Sequence, residues 1–203
     1  KVSDGDPGHE VEALLGLARS ERALGEVPAS VEHLKRALSE VSAPGQASRL
    51  PAVEASLGAS ELALGHAGAA EKWFGQALEG AEARSDFALI ATVENDWGIL
   101  EALQGHSEAA VAHVEASVTA AAKANLPSLE VRALGNAARS LSETESRRSA
   151  ELRRRAAGQL ASLPLSQTQA GLWVNLGDQE SRQKPLLPEA RVRAARWLYA
   201  GLK

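Results

Sequence analysis

The turn Ala23-Leu24-Gly25-Glu26 returns 40 residues later as Ala63-Leu64-Gly65-His66, and 40 residues after that as Leu103-Gln104-Gly105-His106. In each copy a stretch with helical periodicity precedes the glycine and another follows it. A glycine at this place is typical of a helix C-terminus, where the first residue past the helix adopts left-handed backbone angles. The interval therefore indicates an array of helix–turn–helix repeats.

Other residues keep the same interval. Small residues recur at Ala18, Gly58, Gly98 and Ala138, and apolar residues recur at Leu34, Phe74 and Val114. We interpret the small positions as the points where the first helix of a repeat crosses the second, because a small side chain lets two helices approach closely. Gly58→Leu is then expected to push the helices apart, whereas Gly58→Ala is expected to be tolerated.

The composition favours an all-α protein. Hydrophobic residues make up 44% of the 203 residues, aromatic residues only 3%, and Met and Cys are absent. The core must consist mainly of Ala, Leu and Val, and Ala and Leu have high helix propensities. Five helix pairs are predicted, at residues 9–24 and 28–42, 47–64 and 67–84, 87–104 and 107–124, 128–143 and 147–163, and 167–181 and 187–201. The repeat units are predicted at about residues 9–45, 46–85, 86–125, 126–165 and 166–203.

The first eight residues differ from the rest. Residues 1–8 are polar and rich in turn-forming types, which predicts a flexible linker or tail. The chain starts with Lys instead of Met, which indicates a processed or trimmed product: either a mature envelope protein cut after its anchor or a chain trimmed at a linker. A bacterial periplasmic or cell-envelope protein is thereby favoured over a cytoplasmic one. No apolar run approaches the roughly 20 residues that a membrane-spanning helix needs.

Charge is distributed unevenly along the chain. The net charge is −4, yet residues 1–130 contain 9 Lys and Arg against 20 Asp and Glu, a balance of −11. Residues 131–203 contain 13 against 6, a balance of +7. This gradient can steer partners, or it can drive a homo-oligomer through contacts between the acidic end of one copy and the basic end of another.

No motif points to catalysis, a metal or a cofactor. Gly105-His106-Ser107-Glu108-Ala109 resembles a weakened nucleophile elbow, but that motif needs a strand before the serine, and here helices are predicted on both sides. Ser107 is instead interpreted as a helix N-cap. The five histidines lack the spacing of metal ligands, so no metal site is expected.

Arginines cluster at Arg147-Arg148 and Arg153-Arg154-Arg155. We interpret the cluster as a solvated helix face with ion pairs inside the helix, and a phosphate-binding stripe is the alternative. Nucleic-acid binding is not expected, because the chain is acidic overall and no aromatic stacking platform accompanies the arginines.

The sequence resembles the tetratricopeptide repeat family, in a form with a 40-residue period. The clearest match is Trp173-x-x-Leu176-Gly177, which corresponds to the family's W-x2-L-G pattern. Leu57-Gly58 and Gly98 match the same element, and Ala70 to Phe74 and Ala110 to Val114 match the A-x3-F element of the second helix. The family's tyrosine position is a departure, since it holds Glu21, Glu61, Glu101 and Glu180.

The resemblance implies a right-handed superhelical solenoid whose first helices line a concave groove. It implies that a partner protein or an extended peptide binds in that groove, with acidic character near Arg132 and Arg139. The predicted contact residues are Arg19, Arg22, Leu62, Asn95, Ile99, Arg132, Asn136 and Arg139. For Asn95 and Asn136 two interpretations stay open: they bond to the peptide backbone, or they only cap or bridge neighbouring helices.

The predicted function is that of a non-catalytic scaffold or adaptor for protein–protein interaction, such as a bacterial cell-envelope assembly factor. The alternative is a regulatory or sensor segment of a larger signalling or transcription-regulating protein. Neither function requires a cofactor.

Overall fold

The computed structural model describes residues 7–42, 45–141, 146–163, 167–182, 196 and 199. Nine α-helices lie in this part of the chain, together with a 3₁₀ turn at Ala47–Arg49. The helices are α1 Pro7–Leu24, α2 Val27–Glu40, α3 Leu50–Ala63, α4 Ala67–Glu82, α5 Phe87–Leu103, α6 Ser107–Lys123, α7 Pro127–Ser140, α8 Ser146–Ala161 and α9 Gln167–Ser181. We call the odd-numbered helices A helices and the even-numbered ones B helices.

The predicted helix pairs are confirmed for the first four repeats and for the A helix of the fifth. The largest differences are of three residues: the α-helical part of α3 begins at Leu50, because the preceding three residues form the 3₁₀ turn, and α7 ends at Ser140 instead of 143. The second helix of the fifth pair, predicted at residues 187–201, lies outside the described residues except for Arg196 and Tyr199, which are helical. Residues 1–6 of the predicted tail also lie outside them, whereas α1 begins at Pro7.

The turn between the A and B helices has the same geometry in the first three repeats. Gly25, Gly65 and Gly105 have φ of 85°, 79° and 84°. In each turn the glycine N–H donates to the carbonyl three residues back, and the next N–H donates to the carbonyl five residues back, as in Glu26 to Glu21. This pair of bonds satisfies carbonyls that the helix end would leave unpaired, and it requires the left-handed conformation that favours glycine.

The turn after the B helix repeats as well at the ends of α2, α4 and α6. Gly45, Ser85 and Asn125 stand at the same 40-residue interval, and their φ values are 84°, 54° and 56°. Only the first is a glycine, so the sequence did not reveal this second series. Asn tolerates left-handed angles better than most residues, and Ser85 does so in the same hydrogen-bonded turn.

The N-termini of the B helices differ from the prediction at one point. Helix α6 begins at Ser107, and His106 is the residue before it, without a side-chain hydrogen bond to the helix. The interpretation of Ser107 as N-cap is therefore wrong, because the two-residue Schellman turn leaves no room for another residue between Gly105 and the helix. His66 stands at the same place before α4.

The chain divides into two compact units, residues 1–93 and 94–203. In the unit 1–93 a core of buried residues joins α1, α2 and α3, including Val11, Leu14, Leu34, Val53 and Leu57. In the unit 94–203 a core joins α6, α7, α8 and α9, including Val114, Leu134, Leu152, Leu160 and Leu176. Each core consists of the side chains that helical periodicity turns inward.

The small residues do mark helix crossings. A Cβ atom added to Gly58 would lie 2.5 Å from Cδ1 of Phe74, which is fully buried in α4. A Cβ atom at Gly98 would lie 3.1 Å from the carbonyl oxygen of Ala110 in α6. The geometry argues against the expected tolerance of Gly58→Ala, because a buried phenylalanine ring occupies the space that even a methyl group needs.

Candidate functional site

The predicted contact residues lie on the A helices: Arg19 and Arg22 on α1, Leu62 on α3, Asn95 and Ile99 on α5, and Arg132, Asn136 and Arg139 on α7. In the unit 1–93, Arg19 is exposed, while Leu62 and Arg22 are half-buried. Nη1 of Arg22 donates to Oγ of Ser60 on α3 at 3.4 Å, so this arginine links two A helices.

In the unit 94–203 a chain of side-chain hydrogen bonds joins α5 to α7. Nδ2 of Asn136 donates to Oδ1 of Asn95 at 3.1 Å, and Nη2 of Arg139 donates to Oδ1 of Asn136 at 3.2 Å. Asn95 is 3% exposed and also donates to Asp96 at 2.7 Å. Of the two open interpretations, the bridge between neighbouring helices is the one seen for this pair. A buried amide with both ends bonded fixes the position of its neighbour.

Three polar residues of α7 follow one another on one side of the helix. Arg132, Asn136 and Arg139 are spaced by four and three residues, and both arginines are exposed while the asparagine is half-buried. From the helical rise, the two arginines start about 10 Å apart along the axis. Beside these residues, a Cβ atom at Gly135 would lie 3.7 Å from Cδ2 of Leu176 on α9, which is an ordinary van der Waals contact. The result is a cationic strip on a surface that the Asn95–Asn136 bond holds in place.

The glutamates at the family's tyrosine position accept hydrogen bonds from histidines. Oε2 of Glu61 lies 2.7 Å from Nδ1 of His66, and Oε2 of Glu101 lies 2.8 Å from Nδ1 of His106. In the first repeat the turn residue is Glu26, and Glu21 bonds instead to Nδ1 of His33 on α2 at 2.9 Å. In the second and third repeats the glutamate stands five residues before the histidine, with the turn glycine between them. This spacing could have predicted the two pairs, but it was not recognised in the sequence.

A fourth glutamate–histidine pair has an aromatic neighbour. Oε2 of Glu94 on α5 lies 2.6 Å from Nδ1 of His113 on α6. The His113 ring stacks on Trp97, with centroids 4.9 Å apart and an angle of 14° between the planes. These contacts join α5 to α6 beside the Gly98 crossing. They explain why a polar residue, His113, stands at a half-buried position.

The arginine cluster on α8 is not a uniformly solvated face. Arg153 is 0% exposed, and its Nη1 donates to Oγ of Ser149 at 2.7 Å, while Ser149 in turn donates to the Ala138 carbonyl of α7. The interpretation as a solvated face is wrong for this residue. The 40-residue period does indicate this burial. Arg153 stands at the same repeat position as His33, Trp73 and His113, which are all half-buried.

Arg155 forms a bridge between B helices. Both of its terminal nitrogens donate to the carboxylate of Glu115 on α6. This hydrogen bond lowers the pKa of Glu115, against the opposing effect of burial, and raises the pKa of Arg155. Of the three consecutive arginines, Arg154 is exposed and bonds only within its own helix turn, to the Ala150 carbonyl at 3.3 Å. Arg153 is thus excluded from a phosphate-binding stripe on α8, and the stripe stays an alternative only for the exposed Arg147, Arg154 and Arg155.

The described residues also bear on metal and membrane-spanning sites. No group of three or more His, Cys, Asp or Glu side chains stands close enough to hold a metal ion in the described ranges. Within the same ranges, no helix combines the length and apolar character of a membrane span.

Comparison with known proteins identifies the fold. No family model matches the chain, and no curated protein matches it. A solved structure of a Podosopora anserina putative kinesin light chain with nearly identical TPR-like repeats superposes with a TM-score of 0.65 at 17% identity, over 97% of this chain and 96% of that one. A solved variant of the same protein gives a TM-score of 0.63 at 17% identity, over 97% and 94%. At this identity the likeness establishes the fold alone: the chain is an all-α repeat solenoid with a tetratricopeptide-like fold.

Proposed function

We propose that this protein is a non-catalytic scaffold that binds a partner protein or an extended peptide on the A-helix surface of the unit 94–203. The fold supports an interaction role in general, because stacked helix pairs present an extended binding surface. The observation that carries the specific proposal is the hydrogen-bonded series Asn95, Asn136 and Arg139, which fixes side chains of two successive A helices beside the exposed Arg132.

The chemistry of the strip defines the partner. Two exposed guanidinium groups about 10 Å apart along α7 suit two carboxylates at the same distance. In an extended peptide that distance corresponds to about three residues. The partner segment is therefore acidic, with carboxylates roughly three positions apart, and apolar side chains of the segment lie over Ile99 and its neighbours. Asn95 contributes indirectly, by holding Asn136.

The experiment is a binding comparison with a matched control. The partner is captured from the source cells with the wild-type chain, purified and titrated. For Arg132→Glu with Arg139→Glu we expect an affinity loss of roughly tenfold or more, since each reversal replaces an attraction by a repulsion. Arg154→Glu, an exposed arginine of α8 away from the strip, serves as the control and is expected to bind like the wild type.

Two results would contradict this proposal. One is equal affinity of the double variant for the same partner, with its helical circular dichroism unchanged. The other is an equal loss in the Arg154→Glu control, which would point to a general effect of net charge. The role in a bacterial cell envelope stays a prediction, and location of the native protein by cell fractionation tests it.

A further inference from the structure

Helix α1 has an apolar outer side. Ala13, Leu17, Ser20 and Leu24 recur every three or four residues, so they share one face of the helix, with Gly16 beside them. Leu17 is 49% exposed and Leu24 is 76% exposed. Within 4 Å of a Cβ atom at Gly16 the described structure holds nothing. This face is turned away from Val11, Leu14 and Ala18, which belong to the core.

In α3 and α7, the residues at the equivalent positions of the 40-residue repeat are buried. Ala13, Leu17 and Ser20 correspond to Val53, Leu57 and Ser60 of α3, which are 0%, 2% and 0% exposed. Val53 and Leu57 pack in one core with side chains of α1 and α2. In α7 the corresponding Ala133 and Ala137 are 0% and 5% exposed. The part of this face from Ala13 to Ser20 thus has the composition of a stacking face, whereas Leu24 corresponds to Leu64, which is 37% exposed beside its turn.

The charges beside this face are self-complementary. Glu12 and Arg19 lie along the same flank, seven residues apart, and both are exposed. When two copies of such a helix pack antiparallel, residues of the same flank face each other, so Glu12 of each copy meets Arg19 of the other. In a parallel pair they would not meet. On the opposite flank, Glu10 is already paired with Arg36 and Glu21 with His33.

We propose that α1 docks antiparallel on α1 of a second copy of this chain, which forms a two-fold symmetric homodimer. The leucines and small residues make the contact, and the two Glu12–Arg19 pairs set its direction. Glu12 also lies 3.2 Å from Nε of Arg49 in its own chain, a surface pair that an exposed carboxylate exchanges at little cost. One helix against one helix buries less than the roughly 1,200–2,000 Å² of stable interfaces, so the dimer is weak and reversible.

Sedimentation of the full chain over a wide concentration range tests the apolar contact. The wild type is expected to shift from monomer to dimer and no further, because a two-fold interface closes on itself. Leu17→Glu with Leu24→Glu is expected to remain monomeric and folded, since both side chains are already in water. Leu103→Glu, which changes a leucine that is 70% exposed on α5, is the control and is expected to dimerise like the wild type.

The charge pairs provide a second test that does not depend on the leucines. Glu12→Arg alone and Arg19→Glu alone each place like charges together and are expected to weaken self-association. An equimolar mixture of these two variants is expected to form a heterodimer, because each arginine then meets a glutamate again.

Three outcomes would overturn the proposal. A wild-type chain that stays monomeric has no such interface. Growth beyond a dimer would indicate the open contact between acidic and basic ends. Failure of the mixed variants to associate, with a dimer formed by the wild type, would place the interface elsewhere.

Discussion

Glu54 and Glu94 occupy the same position of two successive repeats, yet their surroundings differ. Both carboxylates are almost buried, at 8% exposed. Glu94 accepts a hydrogen bond from His113, whereas the residue in the register of His113 on α4 is Trp73. Among the described residues no hydrogen bond reaches the Glu54 carboxylate. Burial, and secondly the nearby Glu79 carboxylate, raise the pKa of Glu54. Comparison of the two repeats thus identifies Glu54 as a buried carboxylate that lowers stability, which its place in the sequence pattern does not indicate.

The raised pKa of Glu54 leads to a pH-dependent prediction. Because the folded state favours the protonated carboxyl, the ionised form lowers the free energy of unfolding at pH values above the folded pKa. This loss fades as the pH falls through the folded pKa towards the ordinary glutamate range. Glu54→Gln is therefore expected to raise the melting temperature near about pH 7 and to raise it less near about pH 4.

Thermal unfolding followed by circular dichroism at both pH values measures this effect. Glu82→Gln, which changes an exposed glutamate of α4, is the control and should leave the melting temperature nearly unchanged at both. A gain at the Glu54 variant that does not depend on pH would mean that the carboxylate charge is not the cause.

The sequence predicted residue roles unevenly, and the reason is physical. Glycines at the turns were identified because their left-handed backbone angles leave a local mark. Ser85 and Asn125 take the same angles without that mark, since the hydrogen-bonded turn compensates for the less favourable residue type. The burial of Arg153 depends on a contact between two helices, with Ser149 and the Ala138 carbonyl, and local charge density suggested the opposite.

At the scale of elements, the helix crossings decide which residues the repeats tolerate. One position of the A helix pairs with one position of the B helix in each of the first three repeats. The pairs are Ala18 with Leu34, Gly58 with Phe74, and Gly98 with Val114. From the first repeat to the second, a smaller A-helix residue goes with a larger B-helix side chain; the third repeat departs from this, since Gly98 stands opposite Val114. The period revealed both series, but only the contact between the Gly58 position and the Phe74 ring shows that they compensate each other.

Gly58→Ala is accordingly expected to destabilise the protein by about 1–3 kcal/mol through overlap with the buried ring. Gly58→Ala combined with Phe74→Leu recreates the pair of the first repeat and is expected to recover part of that loss, relative to the sum of the single changes. Urea unfolding of the three variants and the wild type measures the free energies.

The matched control for this crossing is Gly68→Ala on α4. A Cβ atom there meets nothing within 4 Å in the described structure, so the change is expected to be neutral or slightly stabilising, as alanine favours the helix. If Gly58→Ala unfolds at the same urea concentration as the wild type, the ring moves aside at no cost and the account of the crossing is wrong.

At the scale of the whole molecule, the sequence predicted the helix pairs and their boundaries closely, because period, glycine turns and helix propensity all agree. It predicted the contact surface less fully. The position of Arg132, Asn136 and Arg139 on one side of α7 follows from spacing alone, but the bond from Asn136 to Asn95 depends on how two A helices lie side by side. In the unit 94–203 this hydrogen bond fixes the position of Asn136 between the two exposed arginines of α7.

The central claim is that a partner binds to the A-helix surface of this unit. Amide hydrogen exchange of the full chain, with and without the captured partner, tests it most directly. We predict slower exchange on partner binding in residues 94–103 and 127–140, with much smaller changes in α8, whose outer side carries Arg154. Slower exchange confined to the B helices α6 and α8, or to the unit 1–93, would contradict the account.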